Sequence, residues 1–151
     1  MGAMKALLQR VSSAKVEVDG RVIGEINAGL LVFVCAMKSD TEQDLDYLVK
    51  KVLALRIFGD EQGKMNRSVM DVQGEVLVVP QFTLAATTRK GNRPSFDNAE
   101  DPARAQELYH AFVRRLRESG LTVRTGVFGA SMAVSLVNDG PVTMLIDSKE
   151  A

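Results

Sequence analysis

The sequence predicts an α+β fold: one domain with a mostly antiparallel, curled and barrel-like sheet and two main helices. Three observations carry this expectation. Apolar residues alternate in strand fashion at both ends of the chain, from Met4 to Asp19 and again across Met132 to Val137 and Val142 to Ile146. Gly29 to Met37 (GLLVFVCAM) is apolar without alternation, as a strand buried on both faces would be. Two stretches, Thr41 to about Phe58 and Asp101 to Gly120, repeat their apolar residues at helical spacing.

The first strand carries Leu7, Leu8 and Val11, then Val16 and Val18. Asp19-Gly20 is a two-residue turn signal, and Arg21 to Ile26 returns as the second arm of a hairpin. Arg10 interrupts the first strand and by itself reads as a solvated residue. Cys35, inside the central run, reads as a small core residue, because nothing local would activate a thiol. Ser39 and Glu42 have the spacing of a capping box. The helix that follows presents Leu45, Leu48, Val49, Val52, Leu53 and Leu55 on one side, and Gly59-Asp60 should end it. A polar loop to Arg67 comes next, then short strands at Ser68 to Val72 and Glu75 to Val79. Pro80 closes the second of these, since it cannot donate to a ladder. Ala86 to Glu100 is the longest irregular stretch and holds Arg89, Lys90 and Arg93. Asp101-Pro102 is an acidic cap followed by Pro at the first helical position. The stripe Ala105, Leu108, Phe112 and Leu116 faces the core, and Gly120 stops the helix. Arg114, Arg115 and Arg117 are accounted for by the helix dipole. His110 lies off that stripe and should face water. Leu121 to Gly129 is a further strand. Met1-Gly2-Ala3 ahead of a second Met reads as a cloning remnant, leaving residues 4 to 151 as the domain.

Composition excludes several classes. The 151 residues carry 19 Lys plus Arg and 19 Asp plus Glu, so the chain is not built to coat long nucleic acid. A single cysteine rules out an internal disulfide and suits a reducing cytoplasm. No apolar run reaches the ~18 residues that span a bilayer, and no signal peptide precedes the first strand. One His and one Cys do not make a metal-ligand set.

Asn138-Asp139-Gly140-Pro141 lies between two strand-like runs and reads locally as a turn. The sharper alternative is that Gly140 and Pro141 aim two carbonyls into a pocket, which a cis bond would favour; about 5% of X-Pro bonds are cis. A second motif, Pro80-Gln81-Phe82-Thr83-Leu84-Ala85, bears on the choice. PQFTLA and NDGPVT, in this order and at this separation, resemble the D-aminoacyl-tRNA deacylases, also called D-tyrosyl-tRNA deacylases. KALLQRV at 5–11, GKMN at 63–66 and GNRPSF at 91–96 extend the resemblance from Met4 to about Ile146.

The resemblance implies a D-tyrosyl-tRNA deacylase-like fold and an enzyme that hydrolyses the ester between a D-amino acid and the terminal adenosine of tRNA, with no metal or organic cofactor. It implies a homodimer in which the QFT stretch of one chain meets the Gly-Pro of the other, so that each pocket is shared across the interface. Carbonyls of Gly140 and Pro141 would accept from the substrate amine, and the same rigid wall would leave no room for an L side chain. Glycine mischarged on tRNA(Ala) has no side chain to reject. Thr83 matches a family threonine once assigned as nucleophile, but a Thr hydroxyl is weak without an adjacent base. The preferred reading uses the adenosine 2′-hydroxyl to attack or to activate water, with backbone N–H groups of Phe82 and Thr83 stabilising the oxyanion. Gln81 would orient the ester or ribose, and Phe82 would stack on adenine or line the pocket. Arg10 matches an arginine that braces the Gly-Pro loop, and Phe128 and Met132 line the site or pack in the core. Lys64, Arg89, Lys90 or Arg93 would meet the acceptor end of the tRNA.

Pro80 departs from the Ser usual in the family and removes a hydroxyl and a backbone donor. An animal relative also has PQ-x-T, with a trans Gly-Pro and some tolerance of L-amino acids; Phe82 and Arg10 favour the D-specific group. Two other readings compete: a non-catalytic module that binds tRNA ends or protein, and an esterase with Cys35 or Thr83 as nucleophile.

Overall fold

A computed structural model describes residues 3–149; residues 1 and 2 of the expected remnant and the last two residues of the expected domain lie outside the described residues. In chain order the elements are β1 Lys5–Val18, β2 Arg21–Ile26, β3 Gly29–Cys35, α1 Glu42–Ala54, β4 Phe58–Gly59, β5 Met65–Arg67, β6 Glu75–Pro80, a 3-10 turn Phe82–Ala85, α2 Pro102–Arg117, β7 Val123–Thr125 and β8 Ala133–Asp147. The fold is α+β, and its main sheet is mixed. The order is β2-β1-β3-β6-β7, with β8 paired to β1. β1 is antiparallel to β2, β3 and β8, whereas β3–β6 and β6–β7 are parallel.

β1 organises this sheet because it is long enough to serve two neighbours on one edge. Residues 5 to 11 pair with β3, and residues 14 to 18 pair with β2. Along its other edge runs β8, from Asp147 opposite Lys5 to Ala133 opposite Glu17. The two ends of the sheet curl toward each other until β2 meets β7. A Cβ at Gly24 would lie 2.7 Å from the Thr125 carbonyl oxygen, so only glycine admits that approach.

Alternation in β3 and β6 divides the core. Leu30, Val32, Val34, Val76 and Val78 lie under the helices, against Leu45, Leu48 and Val52 of α1 and Leu108, Phe112 and Leu116 of α2. Leu31, Leu77 and Val79 face the inside of the curl with Val11, Val16 and Ile26. Each fully buried Leu or Val contributes about 1.5–3 kcal/mol of transfer free energy, which fixes the register of both faces. Arg115 of α2 pairs with Asp46 and Glu42 of α1, so one member of the arginine cluster serves to join the helices.

Several boundaries differ from the sequence expectation. The capping box belongs to Thr41 and Asp44, not Ser39 and Glu42: Gln43 N–H donates to Thr41 Oγ1 (3.3 Å) and Thr41 N–H to Asp44 Oδ2 (2.8 Å). Ser39 is held in a turn at φ 74. α1 ends at Ala54, because Leu55 is extended and leads Ile57 and Phe58 into the core as a separate segment. Ser68 to Val72 is a turn closed by Ser68 and Asp71, whose side chains each accept the other's backbone N–H. The strand expected over Leu121 to Gly129 is reduced to β7. β8 runs through the Gly-Pro, which local chemistry alone reads as a turn. Asp101 caps α2 as expected, with Pro102 at its first turn, and Gly120 follows it at φ +87.

Candidate functional site

β6 delivers the first site segment. Its last residue, Pro80, lies opposite Val34, and Gln81 N–H still donates to the Val34 carbonyl (2.9 Å). The chain then tightens into the 3-10 turn. The first N–H groups of such a turn have no carbonyl within it to bond; here they belong to Phe82 and Thr83. Gln81 Nε2 donates to Thr83 Oγ1 in a short hydrogen bond. Thr83 is exposed, and an amide N–H, unlike a base, cannot take its proton. Phe82 is 61% exposed and packs edge-on against Phe96 at 5.0 Å, tying the turn to the 86–100 loop. That loop is closed by reciprocal backbone bonds between Thr87 and Ser95, with Arg89, Lys90 and Arg93 exposed at its tip.

Cys35 lies beneath this turn, its Sγ 3.6 Å from the Phe82 carbonyl oxygen. Burial pushes the thiol up to about 11, so the protonated form prevails at neutral pH, which suits a small core residue. His110 is exposed and stands edge-on to Tyr109.

Beside Gln81 and Phe82 opens a cavity of about 490 Å³, walled by Tyr109, Phe128 and Met132. Tyr109 is the wall that sequence reading missed. It follows Leu108 and precedes Phe112 by one helical turn, and that spacing was its signal. Its hydroxyl donates to the Val78 carbonyl (3.1 Å), and burial raises its pKa to about 12. The ring of Phe128 lies 6.0 Å from that of Tyr109, and Met132 Sδ accepts from Val127 N–H.

The second segment lies elsewhere. Pairing of β8 with β1 stops at Thr143 opposite Gln9 and resumes at Asn138 opposite Val11, so residues 139–142 bulge without ladder partners. Arg10 braces the bulge. Its Nε donates to the Asp139 carbonyl (3.0 Å), and its Nη1 donates to Ile57 O (2.7 Å). Asn138 closes the other side, with Nδ2 donating to the carbonyls of Arg10 (3.1 Å) and Val142 (3.0 Å). Gly140 sits at φ +137, and the Gly140–Pro141 bond is cis. Both residues are exposed. Neither borders the cavity at Gln81 and Phe82. Val34, next to that cavity, pairs with Ala6, and Arg10 lies about 13 Å further along β1. One chain therefore gathers Gln81, Phe82, Phe128 and Met132, with Thr83 adjoining, and holds Arg10, Gly140 and Pro141 apart from them.

Comparison with known proteins decides the family. The family described as D-Tyr-tRNA(Tyr) deacylase matches residues 7–147. The chain belongs to the D-Tyr-tRNA(Tyr) deacylase family. A D-aminoacyl-tRNA deacylase from Ruegeria sp. (strain TM1040) is 60% identical over 97% of this chain and 94% of its own length. One from Aquifex aeolicus (strain VF5) is 58% identical over 97% of this chain and 99% of its own. Among solved structures, a c-Myc DNA unwinding element binding protein aligns with a TM-score of 0.89 at 42% identity, over 94% of this chain and 97% of that one. A probable eukaryotic D-amino acid tRNA deacylase has a TM-score of 0.83 at 18% identity, over 96% and 99%, and shares the fold.

In this deacylase-family chain the described residues contain no cluster of three His, Cys, Asp or Glu that could hold a metal ion. Among the described residues no helix is long and apolar enough to cross a membrane. Asn138 is a further brace that sequence reading missed, because Asn in an NDGP run is equally good turn chemistry.

Proposed function

We propose that the protein hydrolyses the ester joining a D-amino acid to the terminal adenosine of tRNA, in a homodimer whose pockets are each completed by the partner. The observation that carries this reading is a division: the cavity sits with Gln81 and Phe82, whereas a braced, exposed Gly140–Pro141 stands apart on the same chain. Each half lacks what the other offers. The relatives' shared name supplies the substrate class.

In this reading the adenosine enters between Phe128 and Met132, with Gln81 orienting the ester. Carbonyls of Gly140 and Pro141 from the second chain accept from the substrate ammonium and obstruct an L side chain, so D-amino acids and glycine pass. The 2′-hydroxyl activates a water, which attacks the ester carbon and gives up its proton. The N–H groups of Phe82 and Thr83 receive the charge that develops on the carbonyl oxygen. The bond to the 3′-oxygen breaks, and that oxygen takes up a proton. The protein contributes position and preorganised donors, without a protein nucleophile. Exposed Lys64, Arg89, Lys90 and Arg93 meet the acceptor end, and the work belongs to the cytoplasm, where tRNA is charged.

Incubation with D-aminoacyl-tRNA tests this against the competing role of a non-catalytic binding module. Free amino acid accumulating at substoichiometric protein supports the enzyme; tRNA that binds yet stays charged contradicts it.

A further inference from the structure

Tyr109 and Phe128 are walls of two hollows. Beyond the cavity at Gln81 lies a second, of about 330 Å³, between α2 and residues 125–128. The two follow one another along α2. The first takes Pro102 and Ala105, and the second takes Gln106, His110 and Arg117. Both are walled by the aromatic pair, whose ring centres lie 6.0 Å apart.

The second hollow has mixed chemistry. Val127 is 46% exposed, an apolar surface with no cover among the described residues. His110 adds an exposed ring, edge-on to Tyr109. Arg117 supplies a fixed cation: Nε and Nη2 both donate to the Val123 carbonyl, at 3.3 and 3.0 Å. Among the described residues it has no carboxylate partner, and neither do nearby Arg114 and Arg124, whereas Arg115 is held by Asp46 and Glu42. The helix dipole explains cations at this end of α2. It does not explain a guanidinium pinned in a hollow beside exposed apolar and aromatic surface. Single-stranded nucleic-acid ends are held by such a combination, a planar or apolar wall for the base and a cation for the phosphate.

We propose that the second hollow receives the nucleotide preceding the terminal adenosine, its base against Val127 and His110 and its phosphate drawn toward Arg117. This rests on the adenosine occupying the first cavity. The strand then leaves along α2 toward its arginine-rich end, which supplies locally the positive charge that a neutral chain lacks overall.

The test compares hydrolysis of D-tyrosyl-adenosine with that of D-tyrosyl-cytidylyl-adenosine. One charge-assisted contact corresponds to about a tenfold or larger gain in kcat/KM for the dinucleotide ester. Arg117→Gln should bring the ratio toward one. Gln106→Glu, an exposed change that places an anion at the rim without touching a core contact, should lower it too. Equal efficiency on the two esters, or a ratio that survives both substitutions in folded protein, overturns the proposal. Failure to cleave either ester overturns the deacylase reading beneath it instead.

Discussion

Arg10 and Asp139 are joined twice: Arg10 Nε donates to the Asp139 carbonyl at 3.0 Å and lies 3.6 Å from its carboxylate. The same guanidinium reaches Ile57, beyond the end of α1, so one side chain ties the β8 bulge to the body of the domain. Arg10→Ala should lower kcat/KM on D-aminoacyl-tRNA by about tenfold or more, since charge-assisted bonds of this kind are worth about 1.5–3 kcal/mol each. Arg10→Lys should recover only part, because an ammonium cannot reproduce the fork. Wild-type kinetics in Arg10→Ala would remove the brace from the mechanism.

Gly140 permits no side chain. A Cβ there would lie 2.9 Å from Val142 Cγ2 and 3.1 Å from Arg10 Nη2, at a φ of +137 that L residues rarely adopt. Gly140→Ala should leave the fold intact, because the bulge is exposed, and displace its carbonyl. The expected result is a loss of about tenfold or more in activity, on a strain of about 1–3 kcal/mol. Mixing Gly140→Ala with Gln81→Ala after subunit exchange should then restore up to about a quarter of wild-type sites, the share of random pairs that combine two intact halves. No recovery in dimers shown to have exchanged would contradict a shared pocket.

Thr83→Ala should keep activity within about threefold of wild type, since the hydroxyl accepts from Gln81 Nε2, an amide that is no base. Gln81→Ala should lose far more under the proposed mechanism, in which Gln81 orients the ester. Cys35→Ala should retain full turnover, with only the modest destabilisation of a small buried truncation, about 1 kcal/mol. A Thr83 or Cys35 nucleophile predicts the opposite in single-turnover assays.

Asp40 offers a test of stability. It is buried, its Oδ2 accepts from Met37 N–H (2.6 Å), and its Oδ1 has no hydrogen-bond partner among the described residues. Burial, opposed by that bond, raises its carboxyl from 3.8 to about 6. The folded protein therefore binds this proton more tightly than the unfolded chain does. The effect of Asp40 on stability becomes unfavourable as pH rises from about 4, and fully so above about 6. Asp40→Asn should gain stability relative to wild type at pH 7–8 and lose that advantage near pH 4. Urea unfolding at the two pH values measures it; an advantage independent of pH would be contradictory.

What was legible in the sequence was what local chemistry decides. Asp101-Pro102 announced α2 because a cap and a first-turn proline act within a few residues. The central strand was legible because Leu30, Leu31 and Val32 leave no polar face. The rest depended on partners distant in sequence. Leu55, Ile57 and Phe58 continue an apolar pattern past Ala54, and only their burial elsewhere ends α1 there. Asn138 to Pro141 has the chemistry of a turn, yet β1 is long enough to pair on both sides of it, which makes it a bulge. The family resemblance pointed to both motifs and implied that they meet across two chains; the fold adds the cavity at Gln81 and Phe82, walled by Tyr109, which Gly140 and Pro141 do not border.

The most direct measurement of the account is a pair of initial rates, on D-tyrosyl-tRNA and on L-tyrosyl-tRNA charged on the same tRNA, with the wild-type protein. The account predicts rapid release from the D ester and release from the L ester no faster than without protein. Equal rates on the two would contradict it.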